Sequence, residues 1–384
     1  MPNLLYIYPK KMPSTELMYE SADTAENREK GIFVRFRIAE KVKDEDLAWA
    51  DAVIGIRDQS LLAQWILVRA KKIGLRIIQN YDDDVMALSY EQVEKVSSLP
   101  WRKKAVMEGF AHTDFISCAN AMLGEKYARY IPSGRYFQSE SSVDPSELIP
   151  PSEVESRSDD GVVKIVYAAG RAHEPMFDKY IAPVMQDLID RYGRKISMSF
   201  FGVHPDLSKY SGMIDIQYVG ALPLEEYRAA VKNGCFDIGL APLESDEFTQ
   251  YKYYNKFVEY TISGIAGIYS NVLPYTLVVK DGENGILADN TAEGWCKALC
   301  SAIDDPSLRH RCYKNAYETA LTRFDANTKK KEYWDLFYSI PATDKGQRKK
   351  AWIGFIKCRY FAVRAVEYLY LVGKYLGSDR KSVV

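Results

Sequence analysis

Histidine is scarce in this chain, with four in 384 residues, and the six cysteines include no CxxC pair and no histidine partner at metal-ligand spacing. These absences exclude a zinc-ribbon or zinc-finger motif and a disulfide framework, so a reduced, cytosolic protein is expected. Cys296 and Cys300 would share a helix face, but small apolar residues at that spacing belong to a core more often than to a metal. No uncharged apolar run approaches the roughly 20 residues that span a bilayer. The N-terminus has no positively charged region, and its apolar run Leu4 to Tyr8 is too short for a signal peptide. It reads as a first buried strand. There is no short-period repeat and no low-complexity tract, and the net charge of -1 leaves no basic body to grip nucleic acid.

What is present is an ordinary globular composition, 47% hydrophobic and 27% charged, at a length that suits two or three domains. The near-zero net charge hides an asymmetry. From Lys345 to Val384 there are ten Lys or Arg against two acidic residues, leaving 41 against 50 in the rest, so the tail carries about +8 and the body about -9.

The first half alternates strands with helical patterns. Leu4 to Tyr8, Ile32 to Arg37, Ala52 to Ile56, Leu75 to Gln79 and Phe115 to Cys118 read as strands, and Ser60 to Lys72 reads as a helix. Such alternation predicts a parallel sheet with helices on both faces. Residues 141 to 161, with Pro145, Pro150 and Pro151, read as a linker, after which the rhythm restarts at Val162. The expected domains are 1–150 and 151–328, followed by a crossover helix and basic aromatic tail over 329–384. Two α/β domains joined this way would face each other across a cleft at the carboxyl ends of their strands.

The second half holds an ordered series of short motifs. Val163-Lys164-Ile165-Val166-Tyr167-Ala168-Ala169-Gly170-Arg171, with His173, reads as a strand and the loop after it. A strand end at Tyr218-Val219-Gly220 precedes a helix with Glu225, Glu226 and Tyr227, then the apolar run Phe236 to Pro242. Tyr254-Asn255-Lys256-Phe257-Val258-Glu259-Tyr260 starts a helix, Gly264 to Ser270 contains a short buried strand, and Asp281-Gly282-Glu283-Asn284-Gly285 is a loop before another. Over residues 160 to 325 this order resembles the donor half of GT-B glycosyltransferases, group 1 (family 4). The resemblance implies an α/β GT-B architecture of two Rossmann-like domains. It also implies a nucleotide-sugar donor held as substrate, with no cofactor and no resident metal.

A sugar nucleotide requires anion donors, an acceptor for ribose hydroxyls and a slot for the base. Gly170 would let the backbone approach phosphate, and Arg171 would bind it bidentately. Lys256 lies near a helix start whose free N–H groups favour an anion, and Glu259 follows one turn later on the same face. By the resemblance Glu259 binds the ribose. Asn255, Tyr251 and His173 complete the expected donor set, although His173 could equally cap the next helix. Lys256 and Glu259 alone would be an ordinary surface ion pair. Many retaining members carry two glutamates eight apart, and here Tyr251 stands eight before Glu259; either Glu244 or Glu247 takes that place, or the sugar hydroxyl is presented differently.

Asp82, Asp83 and Asp84 close the run Leu75 to Tyr81, and three carboxylates at a strand end invite either a hard cation or a role toward the transferred sugar. Read alone they suggest a metal-dependent GT-A transferase. With the GT-B resemblance they become the catalytic candidates, one of them a general base if configuration inverts. Capping of the next helix is the plainer alternative. His112 reads as a helix-end residue.

In the tail, Lys350, Lys357 and Arg364 recur every seven residues among aromatic and aliphatic neighbours. A helix of this kind would lie in a membrane interface, with Trp352, Lys357 and Arg364 as contacts. The chain is therefore expected to be a glycosyltransferase acting on a cell-surface glycan or lipid-linked acceptor, retaining and metal-independent, at the inner face of the cell membrane. A non-catalytic sugar-nucleotide or glycan-binding member of the fold is the alternative from a different class.

Overall fold

The computed structural model describes residues 2–9, 22–57, 59–87, 101–157, 160–170, 174–338 and 350–379. The chain divides into two units, Met1–Ser139 with Glu332–Val384, and Glu140–Lys331.

The first unit is built on strands β1 (Asn3–Tyr8), β2 (Phe33–Ile38), β3 (Ala52–Ile56), β4 (Arg76–Tyr81), β5 (Phe115–Cys118) and β6 (Tyr136–Gln138). They form one sheet in the order β2-β1-β3-β4-β5-β6, and every pairing is parallel. Alternation along β1 sends Leu5 and Ile7 to one face and Leu4 and Tyr6 to the other. The Leu61–Lys72 helix covers the first face with Leu62, Ala63, Ile66, Leu67 and Ala70. It starts where Ser60 accepts from the Ala63 amide at 3.2 Å. The opposite face is covered by Trp334 and Phe337 of the Ala326–Tyr338 helix.

The tail helix Ile353–Asp379 also packs on this unit, where Ala351 and Ile353 join the cluster under Leu61–Lys72. The sequence reading placed this helix in a membrane interface and gave it no packing on the fold. Alternating Ala351 and Ile353 supply the apolar anchor that it overlooked.

In the second unit β7 (Val163–Ala168), β8 (Ile196–Phe201), β9 (Asp215–Val219), β10 (Ile238–Ala241), β11 (Ala266–Ser270) and β12 (Ile286–Ala288) form a parallel sheet in the order β12-β11-β10-β7-β8-β9. The direction of strand addition reverses between β7 and β10, a topological switch point where open α/β sheets hold ligands at the carboxyl ends of their strands. Residues 141–157, the described first part of the stretch 141–161 read as a linker, pack onto this unit because they carry Val143, Leu148 and Ile149, all buried. The Val143 amide donates to the Phe324 carbonyl at 2.7 Å.

Candidate functional site

Two glycines shape the carboxyl end of the second sheet. Gly202, just after β8, has φ +76°, and a Cβ there would stand 2.5 Å from the Ala169 carbonyl, so only glycine lets the loops after β7 and β8 pass. Gly239 in β10 admits the Tyr260 ring, whose nearest carbon would lie 2.7 Å from an added Cβ. Tyr260 then donates to the Leu240 carbonyl at 2.7 Å, which seats the Asn255–Ile262 helix on the strand.

Phe257, Val258 and Tyr260 are the buried side of that helix, so Lys256 and Glu259 come to its half-exposed side. Lys256 Nζ stands 2.5 Å from Glu259 Oε2. Tyr227, from the Leu224–Asn233 helix after β9, donates to the same oxygen at 3.0 Å and accepts from Lys256 Nζ at 3.1 Å. Burial, then the charge of Glu259, raise the Tyr227 phenol well above its ordinary range, so it is a donor at neutral pH. Burial opposes the charge on Lys256, but Glu259 and Tyr260 outweigh it and hold the ammonium above its usual value. No hydrogen bond from the described residues reaches Glu259 Oε1, which leaves an acceptor on a carboxylate already oriented through its other oxygen.

Asn255 is exposed at the first position of the helix, and the N-cap residue Tyr254 gives no side-chain cap. Its leading N–H groups therefore have no side-chain cap acceptor. Gly170 is exposed with open space around it, whereas Arg171 and His173 lie outside the described residues. Tyr251 is half-buried in the turn Thr249–Tyr251. The neighbouring tyrosines have structural partners. Tyr253 accepts from the Ser141 amide at 3.0 Å, and Tyr254 donates to Glu140 at 2.5 Å. Glu140 also receives Arg323 at 2.8 Å and Lys329 at 3.2 Å. Glu244 is held by Lys179 and by the Tyr180 hydroxyl, each at 2.8 Å.

In the first unit the aspartate triplet separates into two environments. Asp84 is buried, with Lys126 at 2.5 Å, the Tyr127 hydroxyl at 2.7 Å and the Met86 amide at 3.2 Å. Both of its oxygens are engaged in the interior. Asp82 and Asp83 are instead gripped by Arg57, at 2.6 and 2.9 Å from its two terminal nitrogens. Arg57, just after β3, has φ +50°, a conformation that costs a non-glycine residue about 1–2 kcal/mol. The carboxyl of Asp82 is pushed up to about 6, first by burial and then by Asp83, against the opposing charge of Arg57. Its Oδ1 is buried without a hydrogen-bond partner among the described residues.

No protein-family model matches the sequence, and a search of characterised proteins finds no match. Solved structures do match. Anabaena HepE in complex with UDP and glucose superposes with a TM-score of 0.62 at 13% identity, over 88% of this chain and all of that one. Sucrose-phosphate synthase from Thermosynechococcus elongatus gives 0.63 at 12% identity, over 88% and 98% of the two chains. WaaG, a glycosyltransferase involved in lipopolysaccharide biosynthesis, gives 0.54 at 13% identity, over 88% and 99%. The chain has the GT-B fold.

A GT-B fold removes the single-domain GT-A alternative that the aspartate triplet suggested, since among the described residues twelve strands lie in two separate parallel sheets. The triplet is met by Arg57 and Lys126, and among the described residues no three His, Cys, Asp or Glu side chains are grouped to hold a metal. In the GT-B tail, Lys357 does not face outward as the seven-residue spacing suggests. Its Nζ donates to the Val42 carbonyl at 2.7 Å, and Arg364 is likewise half-buried, while Trp352 is exposed. Arg57 and Tyr227 are the site residues that sequence reasoning missed. A charged residue ending the buried run Ala52 to Ile56 was a usable cue for Arg57, the same cue that drew attention to Asp82. Tyr227 gave none, because its partner is 32 positions away.

Proposed function

We propose that this chain is a glycosyltransferase that takes its sugar from a nucleotide-sugar donor. The observation that carries the reading is the group Lys256, Glu259 and Tyr227 at the helix that follows β10, next to the switch point of a Rossmann-ordered sheet. Glu259 Oε1 accepts the ribose hydroxyls, and Tyr227 and Lys256 fix the carboxylate through Oε2. The diphosphate is met by Lys256, the uncapped N-terminus at Asn255, the open backbone at Gly170, and Arg171. These groups stabilise the charge that develops on the leaving diphosphate, which makes transfer without a metal the expected chemistry. Asp82 and Asp83 act on the acceptor side, and Asp84 belongs to the fold.

HepE was solved with UDP-glucose, so uridine diphosphate sugars are the first donors to test. WaaG acts in lipopolysaccharide biosynthesis, in keeping with a lipid-linked or cell-surface acceptor here. No helix of the described residues is long and apolar enough to cross a membrane, so contact with the inner membrane face is proposed to be peripheral, through the tail. A second reading, binding of the nucleotide sugar without transfer, draws on Tyr251 in place of a glutamate and on Glu244 being tied to Lys179 and Tyr180.

Release of nucleoside diphosphate from a panel of sugar nucleotides, with and without magnesium and a lipid-linked acceptor, tests the proposal. Acceptor-dependent release from one donor without magnesium, falling roughly 100-fold in Lys256→Ala and Glu259→Ala, supports transfer. Binding without turnover of any donor would favour the second reading.

A further inference from the structure

Of the three contacts expected from the sequence, the tail leaves Trp352 exposed and turns Lys357 toward the fold. Ala351 and Ile353 are buried, Arg69 holds the entry by donating to the Ala351 carbonyl at 2.9 Å and the Lys350 carbonyl at 2.7 Å, and Lys357 reaches the Val42 carbonyl. The helix is thereby fixed in rotation. What faces outward is apolar: Trp352, Phe355, Phe361 and Val366 are 60%, 71%, 58% and 63% exposed. They are four of the ten large hydrophobic residues exposed among those described, and they fall within fifteen positions. Trp352 sits at φ +56°, a left-handed conformation unfavourable for a bulky residue, at the point where the chain turns into the helix.

Beside this stripe runs a groove of about 550 Å³ between the tail and the Leu61–Lys72 helix. Trp65, Arg69 and Lys72 line one wall, on the outward side of their helix, and Trp352, Phe355 and Arg359 line the other. The Arg359 guanidinium lies 4.3 Å over the Trp65 ring, and Lys350 Nζ lies 5.0 Å from the Trp352 ring. Glu108 is the one acidic lining residue, and neither residues 61–72 nor residues 350–366 contain Asp or Glu.

We infer that this groove and stripe form a docking surface for an anionic phospholipid bilayer, with the groove receiving a phosphate headgroup among Arg69, Lys72 and Arg359, and Phe355 and Phe361 entering the acyl boundary. Charge complementarity selects the occupant. The rest of the chain is net negative by about 9 charges, so an anionic bilayer repels the body and attracts this patch, which combines exposed aromatic rings with basic groups. The inference rests on the proposed peripheral membrane contact and moves it from Lys357 and Arg364 to the exposed aromatic side chains and Arg359.

The test is co-sedimentation of the full chain with vesicles of phosphatidylcholine alone or mixed with phosphatidylglycerol. The variants are Phe355→Ser with Phe361→Ser, Arg359→Glu and, as the inward control, Lys357→Gln. Circular dichroism checks that each variant folds. The expected result is binding that requires phosphatidylglycerol, falls roughly tenfold or more in the double serine variant and in Arg359→Glu, and persists in Lys357→Gln. Binding that survives both outward changes overturns the docking surface while leaving membrane contact standing. No binding of the wild type to either vesicle overturns both, without touching the nucleotide-sugar proposal. Self-association that the serine variant abolishes in the absence of vesicles would make the stripe a contact between copies and also overturn the inference.

Discussion

Tyr227 donates a 3.0 Å hydrogen bond to Oε2 of Glu259, from a helix 32 positions earlier in the chain. With Lys256 on the same oxygen, it leaves Oε1 to act as the acceptor for a ligand. Tyr227→Phe removes one charge-assisted hydrogen bond worth about 1–2 kcal/mol and leaves the ring in place. Affinity for the cognate nucleoside diphosphate is expected to fall roughly tenfold by calorimetry, beside a loss of a few degrees in the melting temperature of the unliganded protein. An unchanged affinity would show that the phenol only packs.

The aspartate triplet is expected to divide by mutation as it divides by environment. Asp84→Ala removes the buried carboxylate that Lys126 and the Tyr127 hydroxyl donate to and should cost about 2–3 kcal/mol of stability, read by denaturant unfolding. Asp82→Asn and Asp83→Asn should leave the fold intact and lower transfer. Equal destabilisation by all three would contradict the assignment of Asp84 to the interior.

Asp82 carries a sign that unfolding against pH can read. Its folded value of about 6 lies above the ordinary carboxylate value near ~4, so between those limits the folded state binds more protons than the unfolded one. Its contribution to stability is full below that window and is lost as pH rises through about 6. Asp82→Asn should flatten this slope. If Asp82 is the base of an inverting reaction, transfer should also rise through the same pH, and the rise should vanish in the variant.

Glu140 has the opposite sign. Burial would raise its carboxyl, but hydrogen bonds from Tyr254 and Arg323 outweigh it and hold the group below its usual range. Its contribution to stability is present above the unfolded value near ~4.3 and is lost as pH falls through the lower folded value. Glu140→Gln keeps the shape and removes the charge that Arg323 and Lys329 share, so a loss of about 2 kcal/mol at neutral pH is expected, shrinking in acid. A loss independent of pH would mean that packing, not charge, holds the segment.

Most of the strands legible in the sequence are buried on both faces, β2 being half-exposed. Residues of β1, β3 and β5 read as continuous apolar runs, as parallel strands do. β8 was passed over because Ser197 and Ser199 interrupt it, and β6 because three half-exposed residues make no pattern. Lys256 and Glu259 were legible because one helical turn joins them. Arg57 with Asp82, and Tyr227 with Glu259, meet only through strand order, which local periodicity does not encode. The seven-residue basic repeat in the tail gave a face but not its direction. Ile353, Ile356 and Tyr360 pack against the first unit and carry Lys357 inward with them.

The central claim is that the second unit holds a nucleoside diphosphate through Glu259. A thermal-shift panel of UDP, GDP, dTDP, CMP and ADP, with and without magnesium, on the wild type and on Glu259→Ala tests it most directly, because a ligand that binds only the folded state raises its melting temperature. The account predicts stabilisation by one diphosphate that does not need magnesium and disappears in the variant. Stabilisation that requires magnesium, survives Glu259→Ala and is lost on changing Asp82 would contradict it.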